Sequence, residues 1–242
     1  MQKVHVIFLL LLLQNTVSNA RVVNTECVIL LHGMGRSAFS MRSIDKYLRA
    51  QGYHTVNFGY PSTSYTIEQL ATNYIPRFIA ECKTKASKIH FVTHSLGGII
   101  ARYYLQSNSL PEGSRIVMLS PPNRGSEIAD RLRDSAWYKW LAGPSGQQLT
   151  TDPGSVPNQL KPVNYEVGII TGRRTLEPWF SQLILGEDDG KVSVKSSRLT
   201  EMTDFLVVDR AHTFIMNSHF VQEQVVHFLK NGYFTQSYGN KF

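Results

Sequence analysis

Thr93-His94-Ser95-Leu96-Gly97-Gly98 stands where an apolar run of residues gives way to a helical one. A serine at such a junction sits on a tight turn that lifts its hydroxyl clear of the strand, and the small residues behind it let the chain fold back on itself. The start of the following helix also favours negative charge developing there. Such a hydroxyl becomes a nucleophile once a base takes its proton. A serine that merely capped the helix, with glycines easing its packing, would give the same hexapeptide, so the reading needs further parts.

Those parts lie on either side. Leu31-His32-Gly33-Met34-Gly35 closes an earlier apolar run, and acyl transfer needs backbone N–H groups aimed at the developing oxyanion. Met34 and Leu96 are the natural donors, through backbone rather than side chain. Downstream come Glu187-Asp188-Asp189-Gly190 and then Arg210-Ala211-His212-Thr213. Histidine titrates near neutrality and suits proton shuttling, and an aspartate behind it fixes the tautomer and stabilises the imidazolium. His212 is expected as the base, because it follows the last strand, whereas His219 opens the closing helix. Asp189 is expected as the acid, because Gly190 lets the loop turn sharply and aim that carboxylate inward. Asp188 would then be solvated or bonded to the loop's own backbone.

The elements that must hold these residues are legible from apolar runs and their punctuation. Strands are predicted at Cys27–Leu31, His54–Phe58, Ile89–Thr93, Arg115–Leu119, Tyr165–Ile170 and Phe205–Val208, each a short apolar run of the kind buried on both faces. Helices are predicted at Ser40–Gln51, Ile67–Lys83, Leu96–Gln106 and His219–Leu229, with Pro76 expected to kink the second. Strands alternating with helices imply a mainly parallel sheet with helices on both faces. One connection breaks the rhythm: residues 121–162 form an insertion with Trp137, Tyr138 and Trp140 at its centre, and a connection of that length is usually functional.

Taken together, His32-Gly33-Met34-Gly35, His94-Ser95-Leu96-Gly97-Gly98, the Ser120-to-Ser126 turn, Asp189-Gly190-Lys191-Val192 and His212 resemble the α/β-hydrolase superfamily, in particular its bacterial lipases and esterases. The likeness covers nearly all of the chain after residue 20. It implies the α/β-hydrolase fold and carboxylic ester hydrolysis through an acyl-serine. The catalytic residues it implies are Ser95, Asp189 and His212, with Met34 and Leu96 as the oxyanion donors. Two positions depart from the pattern: Thr93 stands where the family usually has Gly or Ala and would crowd the turn, and Asn123 stands where those lipases often carry histidine. Trp137, Tyr138 and Trp140 are expected either to form a lid that meets an acyl chain or lipid surface, or simply to cap the core. An acyltransferase using the same residues, and an inactive binding protein on the same scaffold, are the rival readings.

Composition sets the remaining bounds. The 242 residues, 42% hydrophobic and 18% charged, suit one globular domain. Residues 1–20 combine Lys3, an apolar run and a Ser18-x-Ala20 ending, the pattern of a signal peptide cleaved before Arg21; the rest, 21–242, is the hydrolase domain. A secreted or periplasmic location follows. Removing the leader deletes only Lys3 and lowers the net charge from +7 to +6. With no block of like charge the excess reads as solubility, and nucleic acid is not expected as a partner; the partner is a small-molecule or lipid ester, with transient contact at a membrane surface. No metal-ligand spacing is present and the acidic trio at 187–189 is poor evidence for calcium, so no cofactor is expected. Cys27 and Cys82 are the only cysteines. In an oxidising compartment they could pair, or both could be buried thiols.

Overall fold

The computed structural model describes residues 26–235; the leader and its cleavage site lie outside them. Six strands form a single sheet: β1 (Glu26–Leu31), β2 (His54–Val56), β3 (Lys88–His94), β4 (Arg115–Leu119), β5 (Glu166–Gly172) and β6 (Asp204–Val208). All neighbours are parallel, in the order β2-β1-β3-β4-β5-β6. The apolar runs become strands because both faces are covered. Four larger helices do the covering: α1 (Arg42–Ala50), α2 (Ile67–Lys83), α3 (Leu96–Tyr104) and, closing the chain, His219–Asn231. Alternate residues of β1 divide between two cores. Cys27, Ile29 and Leu31 pack with α2 and α3, while Val28 and Leu30 pack with α1 and the closing helix.

Two expectations are adjusted. The second strand ends at Val56 rather than Phe58. It is a sheet edge paired to β1 through three residues, and Asn57 turns its side-chain amide to the carbonyl of Ala38, 3.1 Å away. The first helix is preceded by a 3-10 turn at Ala38–Met41; α2 runs over the expected residues, with Pro76 inside it. The two cysteines are disulfide-bonded, Cys27 at the start of β1 and Cys82 at the end of α2, with Cα atoms 5.7 Å apart.

Residues 121–162 hold α4 (Glu127–Leu132), α5 (Ala136–Gln147) and α6 (Val156–Gln159). Helix α5 is two pieces joined at Gly143, whose φ of 62° is outside the helical range. A side chain there would strike the carbonyl of Thr63, so only glycine lets α5 rest on that backbone. Beyond the break, Ser145 donates to the carbonyl of Ser62, and Gln148 accepts from the Ile67 N–H at 2.7 Å and donates to Glu68 at 2.8 Å. Beneath the insertion, buried Arg102 of α3 donates to the carbonyls of Asn123, Pro157 and Leu160. Burial lowers the pKa of its guanidinium to about 10. The insertion is therefore fastened along much of its length. After it come α7 (Pro178–Ser181) and α8 (Val194–Ser197), in the connection to β6, so the closing helix is α9.

Candidate active site

Strand order reverses at β1, whose neighbours are β2 on one side and β3 on the other. Connections leaving the carboxyl ends of β1 and β3 diverge there and open a crevice, the usual place for a ligand in an open α/β sheet. Residues 32–35 leave one of those ends and Ser95 the other.

Ser95 has φ 53° and ψ −124°, a conformation that costs about 1–3 kcal/mol in a non-glycine residue and persists only when its surroundings impose it. They do so here. Its N–H donates to the Leu119 carbonyl of β4 and its carbonyl accepts from the Gly98 N–H, both at 2.9 Å. Thr93, expected to crowd this turn, is fully buried. The room comes from Gly98, where a Cβ would lie 3.3 Å from the Thr93 hydroxyl.

Asp189 and His212 are brought together. His212 Nδ1 lies 2.9 Å from Asp189 Oδ2, and the His212 backbone N–H donates to the Asp189 carbonyl at 2.9 Å. The other carboxylate oxygen of Asp189 accepts from the Lys191 and Val192 N–H groups at 3.1 and 2.9 Å. With an acceptor at Nδ1, the neutral ring carries its proton there, leaving Nε2 free to accept one. Gly190, at φ 97°, makes the turn that aims Asp189 inward. Asp188 is occupied by the Ser181 hydroxyl and, at 2.7 Å, the Gly190 N–H. His219 lies on the surface, 3.3 Å from Glu223. The carboxylates of the acidic trio thus face separate partners, and among the described residues no cluster of three or more ligands could hold a metal ion.

The 32–35 turn is held from below. His32 Nδ1 donates to the Gly33 carbonyl at 2.9 Å, its Nε2 accepts from the Tyr60 N–H at 3.3 Å, and the two rings stack with centroids 3.9 Å apart. One neutral tautomer satisfies both bonds, and burial lowers the pKa of His32 below the usual histidine value. The Gly35 N–H donates to Ser62 Oγ at 3.0 Å. Gly33 lies against the nucleophile turn, where a Cβ would come within 2.8 Å of His94 Nδ1 and 3.1 Å of the Ser95 Cβ. Leu96 opens α3, so its N–H is among the first-turn donors that a helix leaves without an internal acceptor.

His94, flagged in sequence only as a neighbour of Ser95, ties the halves together. Its Nε2 donates to the His212 carbonyl at 3.0 Å, and the two ring centroids are 4.8 Å apart. Burial, then the neighbouring His212, holds its pKa well below the ordinary value, so it stays neutral beside His212.

A cavity of about 370 Å³ joins these groups, with Gly33, His94, Ser95 and His212 on its floor. Ile128, Leu132, Trp137, Tyr138 and Leu141 form an apolar wall from the insertion; Glu177, Phe180, Lys191 and Val192 form another; Met34, Arg36 and Thr213 close the rest. Trp140 is not part of the wall. It is 84% exposed, because on a helix it falls to the outer side of the stripe shared by Trp137, Tyr138 and Leu141. The second wall was missed in sequence, since nothing in the spacing of Glu177 and Phe180 relates them to Ser95. Asn123 is buried and bonded to the Ser197 carbonyl at 2.8 Å, away from these groups.

Fold and arrangement together define the class. The chain belongs to the alpha/beta hydrolase family, whose profile matches residues 28–224. Among solved structures it is similar to the mature Bacillus licheniformis lipase BlEst2, with 15% identity and a TM-score of 0.68 over 86% of this chain and 93% of that one. It is similar also to an esterase of Pyrococcus furiosus (18%, TM-score 0.58, 86% and 82%) and to the metagenomic carboxyl esterase MGS0156 (15%, 0.61, 78% and 65%). At these identities the likeness is one of fold.

Proposed function

We propose that this protein is an exported carboxylic ester hydrolase working through an acyl-serine on Ser95. The observation that carries the reading is the closed Asp189–His212 pair, whose histidine shares one cavity with a serine on a strained turn. His212 Nε2 takes the Ser95 proton as Oγ bonds to the ester carbonyl carbon, and the carbonyl oxygen becomes an oxyanion received by the Met34 and Leu96 N–H groups. The carbonyl reforms as the C–O bond to the alcohol breaks, and His212 gives the alcohol its proton. Water, deprotonated by His212, then attacks the acyl-serine; the acid leaves and the proton returns to Ser95. Buried, neutral His94 keeps a second positive charge away from the imidazolium. The apolar wall suits an acyl chain, and exposed Trp140 suits brief contact with a lipid surface.

The Cys27–Cys82 bond supports passage through an oxidising compartment, as the leader ending at Ala20 implies. Among the described residues no helix is long and apolar enough to cross a membrane. A fluorophosphonate probe followed by a panel of p-nitrophenyl esters tests the reading. Stoichiometric labelling of Ser95 with ester turnover is expected; an unlabelled, inactive protein would make it a binding protein, and acyl transfer to added alcohol in preference to water would make it a transferase. N-terminal sequencing of exported protein should begin at Arg21.

A further inference from the structure

Beside the catalytic cavity runs a second, more open groove of about 620 Å³, and the two share Arg36 and Thr213. Its lining carries Arg36, Arg42 and Lys46, two exposed rings (Phe39, 75%, and Phe214, 53%) and no carboxylate. Among the described residues none of the three cations forms an ion pair. Asp45, the acid nearest in sequence, is committed to Arg49 at 3.0 Å and to the Thr55 hydroxyl.

The placement of these charges is unfavourable for the chain alone. Arg42 and Lys46 stand four apart on α1, where like charges repel. Arg42 is also the first residue of that helix, where the helix dipole disfavours a cation. Asp45, in the same first turn, offsets part of this but is drawn to Arg49 and Thr55; local rules broken with incomplete internal compensation are expected at functional sites, and an anion in the groove would relieve both conflicts. The Arg36 guanidinium donates to the Thr213 carbonyl at 3.3 Å, which sets a cation at the junction of the two cavities, next to His212.

Direction follows from the chemistry proposed above, on which this inference rests. His212 must protonate the departing alcohol, so the alcohol leaves on the His212–Thr213 side, and the groove begins there. We propose that the groove binds a phosphate group carried by the alcohol portion of the ester, so that the preferred substrates are acyl esters of phosphorylated alcohols, with the acyl chain on the apolar wall.

Two arms test it. In the first, kcat/KM is compared for 1-butyrylglycerol and 1-butyrylglycerol 3-phosphate, both soluble and sharing one acyl group. The parent is expected to favour the phosphorylated ester at least tenfold. Arg42→Ala/Lys46→Ala should lose that preference while staying within twofold on the neutral ester. In the second, calorimetry measures glycerol 3-phosphate binding to Ser95→Ala. It should weaken at least tenfold in the added double variant and with rising salt. Equal rates in the parent, a preference that survives the double variant, or calorimetric binding that is absent or indifferent to Arg42 and Lys46 would overturn the groove assignment. Should the parent cleave neither ester, the hydrolase reading falls, and the calorimetric arm still decides the groove.

Discussion

At the carboxyl edge of the sheet, Ser95, Asp189 and His212 rest on turns whose backbone is dictated by what packs beneath them. Across the cavity, the first half of α5 presents Trp137, Tyr138 and Leu141 on a helix of which Trp140 and much of Trp137 lie in water. On the edge, Asp189, His212, His94 and the Ser95 backbone are held by directional hydrogen bonds, so a small change disturbs several bonds. On the wall, contact is apolar and non-directional, and one side chain can change with little consequence for its neighbours. Under the proposed function, chemistry and substrate choice are separated between two elements of different tolerance.

Substitution at the edge should show this most strongly. Ser95→Ala is expected to lower kcat by several orders of magnitude and abolish fluorophosphonate labelling, with an unchanged circular dichroism spectrum; labelling at parental stoichiometry would remove Ser95 from its role. Asp189→Asn should cost up to about 10⁴ in kcat at neutral pH, and Asp188→Asn far less. A severe loss confined to Asp188→Asn would move the acid by one residue. Gly33→Ala pushes a methyl against His94 and Ser95 and should cost about 1–3 kcal/mol of stability, as overpacking does, measured by urea denaturation.

The edge should also be sensitive to acid. His32 and His94 are kept neutral by burial, whereas in the unfolded chain both titrate near 6.5. Below that pH the unfolded state binds more protons, so stability is lost as pH falls, by up to about 1.4 kcal/mol per unit for each histidine. Denaturation midpoints between pH 7 and 5 check the sign, and in His94→Gln the slope should be shallower. On the wall, Trp137→Ala should lower kcat/KM on dissolved long-chain esters by up to about tenfold and spare short ones; Trp140→Ala should change neither while the ester is dissolved.

The same contrast explains what could be read beforehand. Buried parallel strands write themselves as unbroken apolar runs, so Arg115–Leu119 agrees with the structure residue for residue. The expectation of Ser95, Asp189 and His212 rests on each following a strand, and Gly190 singles out Asp189, the carboxylate that the structure brings to His212. The turns of α4, α7 and α8 are too short to impose a helical period. What Tyr60 and Ser62 do for the 32–35 turn depends on contacts between segments more than twenty-five residues apart, which one sequence does not encode. Pairing of the cysteines was open for the same reason. Trp140 was grouped with its aromatic neighbours because composition ignores the direction in which a helix turns.

The Cys27–Cys82 bond joins the opposite end of the sheet, at the start of β1. Closing a loop of this length restrains the unfolded chain by about 4 kcal/mol in the chain-entropy view, yet neither cysteine lines the cavity that holds Ser95 and His212. Its oxidation state should therefore set how long a molecule survives rather than how fast it turns over. A freshly made chain and an aged, oxidised one would be indistinguishable by initial rate and would separate only by half-life.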